Sequence, residues 1–175
     1  MKKNIVLIGM MCCGKTTVGL SLSQIMKDFS YIDLDNTIEE IEDKKIIEIF
    51  KEKGENYFRK IESELIEELL NEEENLIIST GGGIVEDPKN MDIIKAKAIS
   101  FYLEAKIDTL KDRIMNGENR NVRPLANDIE SRYEKRKALY EKADYKIDVE
   151  NKNKKEIALE IEEIYGKICS GSKTR

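Results

Sequence analysis

The segment Gly9-Met10-Met11-Cys12-Cys13-Gly14-Lys15-Thr16 directly follows the apolar run Ile5-Val6-Leu7-Ile8. Two glycines at this spacing, closed by Lys-Thr, form the pattern of a phosphate-binding loop between a strand and a helix. Each residue type has a separate task. Gly9 and Gly14 let the backbone curl so that its N–H groups point inward at an anion. Lys15 reaches the β- and γ-phosphates as a point charge and is expected to be surface-exposed in the loop. The Thr16 hydroxyl is placed to ligate magnesium bridging those phosphates. The helical segment that follows turns its N-terminal dipole toward the same anion. Met11, Cys12, Cys13, Gly14, Lys15, Thr16 and Thr17 are therefore the expected nucleotide contacts.

Outward from this loop, apolar runs alternate with segments of helical periodicity. That alternation belongs to an α/β protein with a parallel sheet covered by helices on both faces. Strands are expected at 4–8, 31–33, 76–80, 98–103 and 145–149. Helices fit at 15–27, 37–42, 46–53, 57–71, 88–94, 107–115, 129–143 and 154–168. Ile61, Leu65, Ile66, Leu69 and Leu70 form one apolar helix face, and Glu62, Glu64, Glu67 and Glu68 read as its solvated side. The 175 residues suit one domain, expected over 1–169, with a frayed tail at 170–175. Residues 116–128 hold Gly117, Pro124 and several Asn and Arg without apolar periodicity, and read as a lid.

Composition excludes several chemistries. A net charge of −5 opposes a nucleic-acid surface, and 6% aromatics without Trp opposes base-stacking platforms. The chain has no His, which removes His-based triads and most zinc or haem sites. Any general base is then Asp, Glu, Lys, Tyr or Cys. Cys12, Cys13 and Cys169 match neither a disulfide framework nor a metal-ligand spacing, and suit a reducing cytoplasm. Lys2-Lys3 followed by Ile5 to Ile8 does not read as a secretory signal, because Gly9 breaks the run and no cleavage site follows. No apolar run approaches the roughly 18 residues that span a bilayer, so no membrane partner is expected.

Four polar clusters fall where open α/β sheets bind ligands, beyond the carboxyl ends of the strands. They are the phosphate loop, Asp33-Leu34-Asp35, Ser79-Thr80-Gly81-Gly82-Gly83 and the Arg-containing loop. Asp33 and Asp35 alternate on a strand end, so one can face a metal and the other a substrate hydroxyl. The alternative is a helix cap supplied by Asp35 or Asn36. Gly81 to Gly83 permit a backbone conformation that other residues resist and a close approach of a ligand. Ser79 is a candidate for holding a metal-bound water. Arg59 and Arg136, read singly, are surface charges. Arg120 and Arg123 can close over a transferring phosphate.

A GTPase would carry Asn-Lys-x-Asp, but Asn151-Lys152-Asn153-Lys154 has Lys in place of the acid, and no Asp-x-x-Gly segment exists. Small size and a lid point to a small-molecule kinase. Gly9 to Gly19, Asp33-x-Asp35, Phe58-Arg59-x-x-Glu62, Ser79 to Gly83, Arg123-Pro124-Leu125 and Arg136-x-x-Leu139-Tyr140-Glu141 occur in this order. Together they resemble the shikimate kinase family over nearly the whole chain.

The resemblance implies a three-layer P-loop kinase fold of the nucleoside monophosphate kinase type, with a five-stranded parallel sheet in order 2-3-1-4-5. It implies transfer of the γ-phosphoryl of ATP to the 3-hydroxyl of shikimate, with magnesium, in aromatic amino-acid synthesis. By position, Asp35 is the shikimate-hydroxyl ligand and Arg59 and Arg136 hold its carboxylate, with Gly81, Gly82 and Gly83 lining that pocket and 34–60 as the shikimate-binding segment. Lys15, Asp35 and Arg123 are the catalytic set, Arg120 and Arg123 join the ATP contacts, and Asp33 acts with Thr16 around magnesium through water. A monomer is expected.

The chain departs from the family twice. The family usually has glycine where Cys12 stands, so a Cβ there narrows the loop. It often has a basic residue where Asn116 stands, and Arg113 or Arg120 are the substitutes on the adenine face. The rival readings are a gluconate-type kinase of the same fold and a nucleotide-binding protein that has lost catalysis. Retention of Lys15, Asp35 and Arg123 opposes the second.

Overall fold

The computed structural model describes residues 3–116 and 128–171. Most of the expected lid, Arg120 and Arg123 included, and residues 172–175 lie outside the described residues. In chain order the elements are β1 (Asn4–Ile8), α1 (Lys15–Ile25), β2 (Ser30–Asp33), α2 (Leu34–Glu42), α3 (Ile46–Lys53) and α4 (Glu55–Glu72). There follow β3 (Leu76–Ser79), a 3-10 turn (Ile84–Glu86), α5 (Pro88–Lys97), β4 (Ala98–Glu104), α6 (Ile107–Asn116), α7 (Ile129–Tyr140), β5 (Tyr145–Asp148) and α8 (Lys154–Cys169).

The strands form one parallel sheet in the expected order, β2-β3-β1-β4-β5. Ile5 to Ile8 of β1 are fully buried, as the central strand of a sheet covered on both faces must be. Asn4 is the polar exception, and its amide is satisfied on both sides. It donates to Glu73 O at 3.0 Å and accepts from Leu76 N at 3.0 Å, which pins the start of β1 to β3. The register then pairs Leu7 with Ser79, and Ile32 with Ile78. Helix α1 packs with α8, and α4 packs with α5, so the two pairs cover the two faces. All strands run parallel, so the segments leaving β1, β2 and β3 emerge at one edge.

Helix starts follow local capping chemistry. Asp87 caps α5 by accepting from Lys89 N at 2.9 Å, with Pro88 in the first turn. Asn153 caps α8, accepting from Lys155 N and Glu156 N, while Glu156 reaches back to Asn153 N at 2.7 Å.

The structure differs from the sequence reading at α2. It begins at Leu34, three residues earlier than predicted, because Asp33 itself caps it by accepting from Asn36 N at 3.3 Å. Asp35 is thus a first-turn helical residue rather than an alternating strand-end one, and neither it nor Asn36 is the cap. The 3-10 turn after the glycines was not anticipated; Ile84 N and Glu86 N donate to Gly81 O and Gly83 O. Among the described residues, no helix is long and apolar enough to cross a membrane.

Helix α4 carries the largest correction. Glu62, predicted on the solvated side, is fully buried. It lies beside Phe58, Leu65 and Ile66 on the inner face, one turn from Arg59, whose Nη1 donates to Glu62 Oε2 at 2.7 Å. Burial pushes the Glu62 carboxyl from 4.5 up to about 7, with the neighbouring Arg59 pulling it down and Asp35 pushing it up. The folded protein therefore keeps a proton on Glu62 over a pH range in which the unfolded chain has lost it. Its contribution to stability falls as pH rises from 4.5 toward about 7. The Glu62→Gln variant, which cannot ionise, is expected to gain stability relative to the parent across that interval, by on the order of 2 kcal/mol. Denaturant unfolding of both proteins at about pH 5 and about pH 8 measures it. A pH-independent difference would contradict a buried acid at this position.

Candidate active site

The phosphate loop leaves β1 at Ile8 and enters α1 at Lys15. Gly9 has φ +147° and Gly14 has φ +108°, so both glycines occupy backbone space that side chains resist. A Cβ on Gly9 would also lie 2.8 Å from Leu103 O. Cys12 has φ +64°, the left-handed region. This explains why a glycine suits that position, and a non-glycine there costs on the order of 1–3 kcal/mol. The loop nevertheless closes. Cys13 N donates to Met10 O at 3.2 Å, and Thr17 Oγ1 donates to Gly14 O at 3.0 Å. Arg113, reaching from α6, donates to the carbonyls of Cys12 and Cys13 at 3.0 and 3.2 Å.

Lys15 was expected to be exposed and is buried. Its ammonium donates to Gly9 O at 2.8 Å and Met10 O at 3.0 Å, and lies 3.7 Å from Cys13 Sγ. The loop wraps around its own cation, which satisfies the charge with carbonyl dipoles inside the curl.

Next to this loop, Thr16 Oγ1 donates to Asp33 Oδ2 at 2.8 Å. Tyr31 OH donates to the same oxygen at 3.2 Å. Burial, first of all, pushes the Tyr31 phenol up to about 12, so it stays a donor at neutral pH. Thr16 and Asp33 present two hard oxygen ligands side by side at the start of α1. Among the described residues, no cluster of three or more His, Cys, Asp or Glu forms an all-protein metal cage. Such a pair fits magnesium, which takes one or two protein oxygens and completes its shell with substrate phosphates and water.

The triple glycine forms the floor of the other half of the cavity. None of Gly81, Gly82 and Gly83 has a positive φ, so unusual dihedrals are not the reason for them. Space is the reason. A Cβ on Gly81 would lie 2.4 Å from Glu62 Oε1 and 3.0 Å from Asp35 Oδ1, and one on Gly83 would lie 2.4 Å from Arg59 Cζ. A Cβ on Gly82 would touch Met11 N at 3.3 Å and Arg136 Nη1 at 3.6 Å. Asp35, Arg59 and Arg136, from three different helices, therefore converge on one strip of bare backbone.

Both arginines are oriented by carboxylates. Arg59 Nη1 and Nη2 donate to Glu62 and to Glu55, the latter at 3.1 Å. Arg136 is only 1% exposed, and its Nη2 donates to Glu86 Oε2 at 2.8 Å. Lys135 holds the other Glu86 oxygen at 2.8 Å. Burial opposes ionisation of Glu86, but Lys135 and Arg136 outweigh it and hold its carboxyl below the usual range. Tyr140, one turn beyond Arg136, donates to Gly82 O at 2.5 Å and stacks on Tyr102 with ring centroids 5.2 Å apart. Among the described residues, the Nε groups of Arg59 and Arg136 are buried and have no acceptor.

The two halves share one cavity of about 750 Å3. Its lining includes the loop from Met11 to Thr17, Asp33, Asp35, Arg59, Gly81 to Gly83, Arg113 and Arg136. The expected nucleotide, metal and acceptor residues within the described range are thus brought together, but Ser79 is buried behind the cavity rather than lining it. Sequence reasoning missed the apolar wall of Ile46, Phe50 and Phe58, and Lys152 and Lys154 at the nucleotide end. It also missed Glu62, Glu86 and Tyr31. Glu62 had a signal in its three-residue spacing from Arg59 on a helix, and Tyr31 in its two-residue spacing from Asp33 on a strand.

Comparison with known proteins identifies the family. A family model described as shikimate kinase matches residues 11–165. A shikimate kinase of Persephonella marina is 38% identical over 95% of this chain and 99% of its own. One of Lactococcus lactis subsp. lactis is 43% identical over 93% of this chain and 98% of its own. Among solved structures, shikimate kinase from Acinetobacter baumannii in complex with shikimate superposes with a TM-score of 0.85 at 29% identity, covering 98% of this chain and 96% of that one. A gluconokinase from Sinorhizobium meliloti, at 14% identity and TM-score 0.59, shares the fold alone. The chain belongs to the shikimate kinase family.

Proposed function

We infer that the chain phosphorylates the 3-hydroxyl of shikimate with the γ-phosphoryl group of ATP, the reaction of its family in aromatic amino-acid biosynthesis. The observation that carries the reading is a buried Arg136 and a half-buried Arg59, each with an Nε donor unused among the described residues, in one cavity with a phosphate loop. Two carboxylate-oriented arginines suit an acceptor that itself bears a carboxylate, which they can pair with directionally.

In this reading the acceptor carboxylate lies against Arg59 and Arg136, above Gly81 to Gly83. Asp35, in the first turn of α2, orients the attacking hydroxyl and takes its proton. The hydroxyl oxygen forms the new bond to phosphorus. The bond to the bridging oxygen breaks, and its electron pair leaves with ADP. Lys15 exchanges two carbonyl partners for phosphate oxygens and balances their developing charge. Thr16 directly, and Asp33 through water, would hold magnesium, which neutralises phosphate charge and keeps the β- and γ-groups in register. Arg120 and Arg123, outside the described residues, keep the phosphate-contacting role that the family resemblance gives them. Arg113 is the candidate for the nucleotide base. In this reading the working unit is a monomer. Three free cysteines suit a reducing cytoplasm.

The deciding experiment is ADP release measured over shikimate, gluconate and nucleoside monophosphates. Turnover with shikimate alone is expected, and turnover with gluconate alone would overturn the reading. Asp35→Asn is expected to lower kcat roughly 100-fold or more with the fold intact. Near-normal turnover of that variant would remove Asp35 from proton transfer. Arg59→Lys and Arg136→Lys are expected to raise the shikimate KM by about 10-fold or more and the ATP KM far less, since lysine cannot reproduce the planar fork. Equal rises for both substrates would move the acceptor pocket elsewhere.

A further inference from the structure

The Asp33 carboxylate has three donors around it, and one of them plays no part in the reading above. Oδ2 accepts from Thr16 Oγ1 at 2.8 Å and from Tyr31 OH at 3.2 Å, while Oδ1 accepts from Asn36 N at 3.3 Å. The terminal torsion of an aspartate is broad and roughly two-fold, so its plane is set by its partners rather than by an intrinsic rotamer well. Asn36 N belongs to the helix cap and fixes one oxygen. The second oxygen, which touches the Thr16 hydroxyl, has its remaining position filled by the phenol.

Helix α1 makes room for that phenol. Gly19 sits inside the helix, where glycine costs about 1 kcal/mol relative to alanine. A Cβ there would lie 2.4 Å from Tyr31 Cε2 and 2.9 Å from Ser79 Oγ. The ring thus packs against α1 at Gly19, close to Ser79 of β3. That packing places its hydroxyl, and the hydroxyl orients the carboxylate.

We propose that Tyr31 is a positioning residue for the metal side of the site: its phenol holds the Asp33 carboxylate, and through it the Thr16 hydroxyl, in the arrangement that receives a divalent cation on the nucleotide phosphates. Groups that hydrogen-bond a metal ligand orient it and tune its affinity, and their loss commonly weakens binding by about 10-fold. Tyr31 touches neither substrate in this scheme. It acts through Asp33, and the inference rests on the assignment of Thr16 and Asp33 to magnesium.

The test compares Tyr31→Phe with the parent by titration calorimetry of ADP, once with excess magnesium and once with a chelator. The ring contacts with Gly19 survive this change, and ADP binding in chelator reports that the loop is intact. The expected result is about a 10-fold weaker ADP affinity with magnesium, unchanged affinity in chelator, and a similar rise in the magnesium concentration for half-maximal turnover. The shikimate KM stays where it was. Equal affinity of parent and variant in magnesium overturns the inference, and so does an equal loss with and without the cation. Asp33→Asn serves as the control. If it too leaves the magnesium-dependent gain unchanged, the metal assignment itself fails. If it abolishes the gain while Tyr31→Phe does not, only the role of Tyr31 fails.

Discussion

A Cβ at Gly81 or at Gly83 would stand 2.4 Å from the carboxylate of Glu62 or the guanidinium of Arg59, closer than any side chain tolerates. The acceptor half of the cavity depends on this one steric fact. Asp35 comes from α2, Arg59 and Glu62 from α4, and Arg136 from α7, elements far apart in the chain. They can share a few ångströms only because the backbone between them presents no side chains. The strip is in turn held from below. Thr80 N and Oγ1 both donate to Leu7 O, at 3.2 and 2.9 Å, and tie the start of the turn to the central strand. Tyr140 clamps Gly82 from the other side. Sheet, glycine turn and α7 are therefore joined by direct hydrogen bonds.

Charge balance in this cluster explains its readiness for an anion. Removing paired charges from water costs several kcal/mol per ion, and attraction offsets this only with good geometry and full hydrogen bonding. Among the described residues, hydrogen bonding is incomplete on the arginine side, where the Nε donors of Arg59 and Arg136 are spare. It is also incomplete on the carboxylate side, because Glu62 Oε1 has no donor among the described residues. Burial overrides the pull of Arg59 strongly enough to bring Glu62 to about 7. Near neutral pH, part of the counter-charge to Arg59 is thus missing. An incoming carboxylate would supply it, and its added negative charge would push Glu62 further toward the neutral form.

Much of this architecture was legible in the sequence, and the boundary of legibility has physical causes. Strands β1, β3 and β4 are near-continuous apolar runs because both their faces are buried, and such runs read directly. The phosphate loop was legible because its geometry demands particular residues at fixed spacing. Helix α2 was misplaced because Asp33 does two jobs, ending a strand and capping a helix, so no loop residue marks the change. Glu62 was misread because periodicity sorts residues by polarity, and a buried glutamate paired with Arg59 has the polarity of the outside and the position of the inside. Glu86 gave no signal, because its partner Arg136 lies 50 residues away and is chosen by tertiary approach. Tyr31 stands two residues before Asp33 on one strand, a same-face spacing that was overlooked rather than absent.

Lys15 shows the same logic at the nucleotide end. A buried ammonium needs acceptors, and in this loop the nearest are its own carbonyls, Gly9 O and Met10 O. Those bonds hold the loop in the curled form that directs its N–H groups inward, despite the left-handed Cys12 that works against it. Arg113 adds two further bonds, to the carbonyls of Cys12 and Cys13. A triphosphate entering this curl then replaces neutral acceptors of Lys15 with charged ones, a stronger class of hydrogen bond. The gain comes from the exchange of partners. The strain at Cys12 is thus carried by contacts already present in the folded loop, and the phosphate needs only to take the place they have shaped.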